Sequence, residues 1–396
     1  MTIDALDMDR LVGGAIAATG LDDLGDDDWR EGLARLTLAL DEEARLNALG
    51  EQIAAGELSM LLANRLELIG WRAQHPELTG VDIVPPIVIV GQGRTGTTIL
   101  FDILAQDPAT RVPLTWEVDR PVPPPETATF DTDPRIDEVD ELLAGTDLLI
   151  PGFRTIHPMG ARLSQECVRM TASSFRSITY PTQYRVPSYG RWVMHEADMG
   201  PAYRWHRFFL EHLQSRHPPG DGGAARWVLK SPVHIWCLDA LLAEYPAAFL
   251  VQTHRDPLSI IASLSSLEQT LRSMTCDDPT IPEIADEWAD YIIDGLDRSV
   301  TARENGTVRA DRVVDVNFRD FMADPFRVIA EIYAGLDLEL TPSTEQRMRC
   351  FLADHSQPEG GGHRYSFADT GLDAGEIRER SRRYQEYFDV PSEAHA

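Results

Sequence analysis

Apolar positions in the first eighty residues recur at helical spacing between acidic loops. The run DDDWREGLARLTLALDEEARLNALG begins on an aspartate suited to capping and closes on Gly50, so one helix is predicted to end there. A second helix is predicted over Gln52–His75, stopped by Pro76. The pattern changes at PPIVIVG, a short unbroken β-branched run of the kind a strand covered on both faces requires. Similar runs at Arg226–Lys230, Phe249–His254 and Arg312–Asn317 alternate with helical patterns at Ile235–Tyr245, Pro257–Leu271 and Ile284–Glu304. That alternation predicts an α/β fold with a parallel sheet flanked by helices. Residues 1–80 are expected to be a helical extension packed on the main domain, and 81–396 the α/β domain itself. RPVPPPE reads as a rigid polyproline-type loop, and PEGGGHRYSF as a glycine-rich loop before a final charged helix. The stretch 175–209 is unusually aromatic, which suits a wall for an apolar ligand and plain helix packing equally well.

Composition narrows the field. The chain has 396 residues, 43% of them hydrophobic, enough for one large elaborated domain or two. With 64 acidic against 36 basic side chains the net charge is −28. Nucleic acid and anionic lipid are therefore poor partners, and an anionic ligand needs a locally basic pocket. The four cysteines stand far apart without a CxxC pair, so neither zinc nor a disulfide framework is expected. No apolar run approaches the ~20 residues of a membrane span. MTIDALDMDR has no signal-peptide character, and a cytoplasmic protein is expected. Apolar helices near the N-terminus make a homodimer an open possibility. Lys230, in RWVLKSPVH, is the only lysine in the chain. Arginine's planar fork does not replace a compact ammonium, which singles this position out.

The segment VGQGRTGTT follows the first strand. Gly91 and Gly96 have the spacing of a nucleotide P-loop and Thr98 stands at its hydroxyl position, but Thr97 replaces the lysine. Gly93 and Gly96 permit a tight turn whose amides face an anion at the helix N-terminus. Arg94 supplies charge, and Thr95, Thr97 and Thr98 line the same turn with hydroxyls. With no loop lysine and no obvious acidic partner for magnesium, the site suits a smaller anion and no metal. Further on, THRDP ends a strand near His254. Asp256 is placed to cap the next helix and Pro257 to open it. Arg255 and Ser263, eight residues apart, are placed to reach one anion together.

These segments together resemble the sulfotransferase superfamily that uses 3′-phosphoadenosine-5′-phosphosulfate (PAPS), and within it the bacterial branch with mycobacterial members. Gly93-Arg94-Thr95-Gly96-Thr97-Thr98 follows the family's P-[RK]-[ST]-G-T-[ST] turn, with glycine for the usual proline. Trp116-Glu117 before a proline run, RWVLKSP, THRDP and GGHRYSFADTGLD follow in the branch's order, between roughly Pro86 and Phe388. The resemblance implies sulfuryl transfer from PAPS to a hydroxyl or amine of a small acceptor. It assigns the 5′-phosphosulfate to the loop and the 3′-phosphate to Arg255 and Ser263. Lys230 would neutralise the leaving oxygen with help from Arg94, and His363, Arg364 and Tyr365 would belong to a loop closing over the nucleotide. Glu117 is the first candidate for the base, Glu166 the second and His157 the third. A P-loop kinase, a non-catalytic PAPS-binding protein and a sulfonation that prepares an elimination remain as alternatives.

Overall fold

Ile87–Val90, the IVIV of the loop-bearing segment, forms a fully buried strand, β1. It lies at the centre of a five-stranded sheet with β2 (Thr110–Arg111), β3 (Arg226–Lys230), β4 (Phe249–His254) and β5 (Val313–Asn317), in the order β2-β3-β1-β4-β5. Every pairing is parallel. The computed structural model describes residues 6–78, 80–149, 159–220, 225–355 and 365–393. His157, His363 and Arg364 lie outside the described residues. The chain divides into two units. One comprises Met1–Ile83, Pro113–Pro218 and Thr270–Pro279; the other comprises Val84–Val112, Pro219–Gln269 and Thr280–Ala396.

The second unit contains the whole sheet. Ile89 pairs with Lys230, Val90 with Gln252 and Thr253 with Val316, so β1, β3, β4 and β5 finish along one edge. From β1 the chain runs to β2 and β3 on one side and to β4 and β5 on the other. The carboxyl end of β1 is thus a topological switch point, where an open parallel sheet leaves a crevice. Three of the predicted strands have their expected bounds or differ by one residue, whereas β2 is two residues long and carries no readable pattern. The helix predicted over Ile235–Tyr245 is instead a 3-10 turn, Pro232–Trp236, followed by Leu238–Glu244. The cause is Ser231, whose hydroxyl accepts the Val233 N–H at 3.3 Å and starts the turn early. The final charged helix is two helices, Ala374–Arg380 and Arg382–Tyr387.

The first unit is helical, opening with Met8–Thr19, Asp28–Glu42 and Ala48–Gln74. The single helix predicted to run to Gly50 stops at Glu42. Arg45 turns the chain at φ 52, and the Asn47 side chain accepts the Gly50 N–H at 2.8 Å, which begins a new helix. Gly50 lies inside that helix because its backbone abuts Thr275, whose Cα would stand 2.8 Å from an added Cβ. The aromatic stretch is core: Phe175, Tyr180, Tyr184, Tyr189, Tyr203 and Phe209 are buried. Its polar tips are tied internally, with Tyr180 and Tyr189 hydroxyls donating to the Ala172 and Phe175 carbonyls at 2.8 and 2.9 Å. Arg169 meets Glu57 at 2.7 Å and Asp119 at 3.2 Å, while Tyr184 donates to Glu57 at 3.0 Å. No described helix is long and apolar enough to cross a membrane.

Two histidines of this unit are locked neutral. Burial pushes His206 down to about 3 and His212 to about 4, the latter against the opposing hydrogen bond to the Pro121 carbonyl. Their folded values lie below the unfolded value of 6.5, so falling pH protonates the unfolded chain first. Their contribution is therefore present above that pH and declines below it, by up to ~1.4 kcal/mol per pH unit for each. Urea unfolding is expected to show stability dropping between about pH 6.5 and pH 5, above the carboxylate range, and the His206→Gln/His212→Gln variant to flatten that slope.

Candidate active site

The loop after β1 is held from both sides. Thr95 donates to the Gln92 carbonyl at 2.6 Å and pairs with the Thr253 hydroxyl of β4 at 2.7 Å. Gln92 reaches the Ile292 carbonyl at 3.2 Å. Gly91, Arg94 and Gly96 have φ of 144°, 69° and 84°. Arginine in the left-handed region costs ~1 kcal/mol or more and persists only where its surroundings fix it. Here the Arg94 Nε donates to Ser263 Oγ at 2.9 Å, and its carbonyl accepts from Arg255 at 2.8 Å. Burial lowers the Arg94 pKa, Tyr365 opposes that, and the neighbouring Arg255 adds to it. The helix Thr97–Leu104 then begins with amides that have no partner further back in the helix, the ordinary setting of an anion cradle. Thr97 is buried and Thr98 exposed.

Lys230 ends β3 beside this loop. It is 1% exposed, and its Nζ donates to Thr98 Oγ1 at 3.2 Å. The ammonium lies 5.9 Å from the Phe101 ring centroid. The charge that a nucleotide P-loop carries on its own lysine is delivered here from the adjacent strand.

On the other side of β1, Arg255 follows β4. Its guanidinium donates from Nε and Nη2 to both carboxylate oxygens of Glu393, at 2.9 and 3.0 Å. Nη2 also donates to the Tyr365 hydroxyl at 3.0 Å, and the group stacks 4.2 Å from the Phe318 ring centroid. Ser259 adds a 2.7 Å bond to Glu393. Burial works to lower the Arg255 pKa but is outweighed by Glu393 and Tyr365, so it is raised. The Glu393 carboxyl, conversely, is held below its usual range despite burial. Asp256 caps the following helix through the Leu258 N–H at 3.0 Å, and Arg378 grips it from Nη1 and Nη2 at 2.5 and 2.7 Å.

His254 fixes the Arg255 backbone. Burial lowers its pKa against the opposing Asp315, so the ring is neutral. Asp315 accepts from His254 Nε2 at 2.8 Å and is itself paired with Arg303 at 2.6 Å. His254 Nδ1 therefore accepts the Tyr384 hydroxyl at 3.1 Å, while that phenol oxygen accepts the Arg255 N–H.

Of the residues singled out in the sequence, Gly93, Arg94, Thr95, Gly96, Thr97, Thr98, Lys230, Arg255, Ser263 and Tyr365 all belong to this second unit. Arg94 bonds Ser263 and Arg255, Arg255 bonds Tyr365, and Lys230 bonds Thr98. Glu117 and Glu166 belong to the first unit. Glu117 is fully buried in the helix Thr115–Asp119, and its Oε1 accepts the Leu114 N–H at 2.9 Å. Glu166 stands at the N-cap of Cys167–Ala172, half-buried. Sequence reasoning missed Ser259, Glu393, Tyr384, Arg378 and Phe318. Only Ser259, one turn from Ser263 on the same helix, had a readable signal.

The Sulfotransferase family profile matches residues 85–342. The solved structure of sulfotransferase STF1 from Mycobacterium tuberculosis H37Rv aligns with a TM-score of 0.84 and 33% identity, covering 96% of this chain and 99% of that one. Sulfotransferase STF9 from Mycobacterium avium aligns with a TM-score of 0.87 and 29% identity, covering 98% of both. Omega-hydroxy-beta-dihydromenaquinone-9 sulfotransferase Stf3 of Mycobacterium bovis is 25% identical over 281 residues, 69% of this chain and 68% of its own.

Proposed function

Because the chain belongs to the sulfotransferase family, we propose that it moves a sulfuryl group from PAPS to the hydroxyl of a small acceptor. The observation that carries this reading is that one lysine-less loop has a cation on each side: Lys230 on Thr98, and Arg255 on the Arg94 carbonyl. PAPS carries two separated anionic groups, and ATP carries no 3′-phosphate. The carboxylate held in two-point fashion by Arg255 supports a phosphate seat there, since the same fork edge suits either anion.

In the transfer, the bond from sulfur to the phosphate oxygen breaks as a bond from sulfur to the acceptor oxygen forms. The loop amides and Arg94 hold the 5′ group in line, and Lys230 neutralises the oxygen that leaves. Glu117 takes the acceptor's proton, with Glu166 in reserve. The nucleotide machinery is assigned to 81–396 and the extension to 1–80. The relative named for an omega-hydroxy acceptor supports a hydroxyl as the accepting group.

Calorimetric titration of the desulfated product, 3′-phosphoadenosine-5′-phosphate (PAP), against AMP and magnesium–ATP tests the reading. PAP is expected to bind far more tightly than AMP. Preference for magnesium–ATP, with the 3′-phosphate ignored, would return the loop to kinase chemistry. Glu117→Gln keeps an oxygen for the Leu114 N–H but cannot take a proton. It is expected to lower kcat by ~10²–10⁴ with PAP affinity unchanged. Unaltered kcat in steady-state assays would move the base to Glu166.

A further inference from the structure

We propose that Glu393 is a built-in occupant of the 3′-phosphate seat, and that the nucleotide binds by displacing its carboxylate from Arg255 and Ser259. The inference rests on the PAPS reading above and names a control of that same site. A guanidinium has five N–H donors in a fixed fork. In Arg255, Nε and one Nη2 hydrogen face Glu393, the other Nη2 hydrogen faces Tyr365, and Nη1 serves the Arg94 carbonyl. The edge that grips a phosphate at two points is therefore already filled by an anion of this chain.

The hydroxyl meeting that edge is Ser259, which donates to Glu393 at 2.7 Å. Ser263, one turn further along the helix, already accepts the Arg94 Nε. Ser263 positions the loop arginine through its oxygen and keeps its own hydroxyl hydrogen for the phosphate, while Ser259 is the hydroxyl that changes partner between carboxylate and phosphate. The tail is fastened behind its side chain by the Glu393 N–H, which donates to Asp256 at 2.6 Å. Phosphate brings a second negative charge to the same donors and so displaces the single carboxylate. A ligand without a 3′-phosphate leaves the tail in place.

Two measurements on the full chain test this. Glu393→Gln keeps the shape of the tail and removes its charge. If the tail is seated for about nine-tenths of the time, PAP affinity is masked about tenfold, so the variant is expected to bind PAP about tenfold more tightly. AMP affinity is expected to be the same in both proteins. In the unaltered protein, PAP is expected to speed hydrogen exchange at the Glu393 amide, and AMP to leave it alone. PAP binding that is no tighter in the variant, or that slows exchange at this amide, overturns the occupant. If the unaltered protein still prefers PAP to AMP in that case, the PAPS reading survives alone. If neither protein prefers PAP, both fall. The exchange experiment needs no substitution, so a misfolded variant does not blunt the test.

Discussion

Lys230→Met is expected to lower kcat by ~10²–10³ while PAP still binds, since in the proposed role its charge acts on the leaving oxygen as that oxygen forms. The side chain ends β3 at 1% exposure, against Thr98 and within 5.9 Å of the Phe101 ring. Methionine fills comparable volume without a charge, so the fold is expected to hold. Lys230→Arg is not expected to restore the rate. A planar guanidinium needs more room than this buried end gives, and its donors point in a fixed fork. Single-turnover assays with PAPS, read beside PAP calorimetry, separate the chemical step from binding. A Met variant that keeps kcat within a few-fold would remove Lys230 from the chemistry.

Gly91→Ala is the second large effect, this time on stability. Gly91 has φ 144, and an added Cβ would run into the Thr253 hydroxyl and lie 2.8 Å from its carbonyl. Overpacking against a β4 backbone that cannot yield, together with a strained φ, is expected to cost about 2–5 kcal/mol. Gly93 is the contrast. Its φ lies outside the positive range, and an added Cβ would meet only Leu264 Cδ1 at 3.6 Å, ordinary contact. Gly93→Ala is expected to stay within ~0.5 kcal/mol of the parent. Urea unfolding of the two variants checks both. Equal stabilities would mean that the two glycines carry no different backbone demands.

That contrast marks where the sequence stops being readable. The two glycines look alike in GQGRTG, and only the neighbour across the sheet separates them. Strands β1, β3 and β4 were legible from the short apolar runs IVIV, WVL and FLV that burial on both faces favours. Two-residue β2 has no room for a pattern, and the break before Asn47 rests on the positive φ of Arg45 and on the Asn47 N–H reaching the Thr275 carbonyl at 3.0 Å. Arg94 stood out by its place in a glycine turn, Lys230 as the only lysine in the chain and Arg255 by its eight-residue spacing from Ser263, and the fold ties Arg255 to the Arg94 carbonyl and Lys230 to Thr98. Glu393 was not, since it meets Arg255 across 138 residues and nothing local marks it as different from any tail glutamate. Tyr384 and Arg378 were hidden likewise, because their partners His254 and Asp256 lie 130 and 122 residues away.

The lysine comes from one strand and the turn it serves from the next, and Ile89 and Lys230 are paired across the sheet. The ammonium is thus indexed by backbone ladder bonds. Its position relative to the turn can change only in whole steps, and a single step would point it to the opposite face. A turn rebuilt with different residues or length would still find the charge waiting at the same height, so this architecture lets the turn vary while the strand-borne ammonium stays in place.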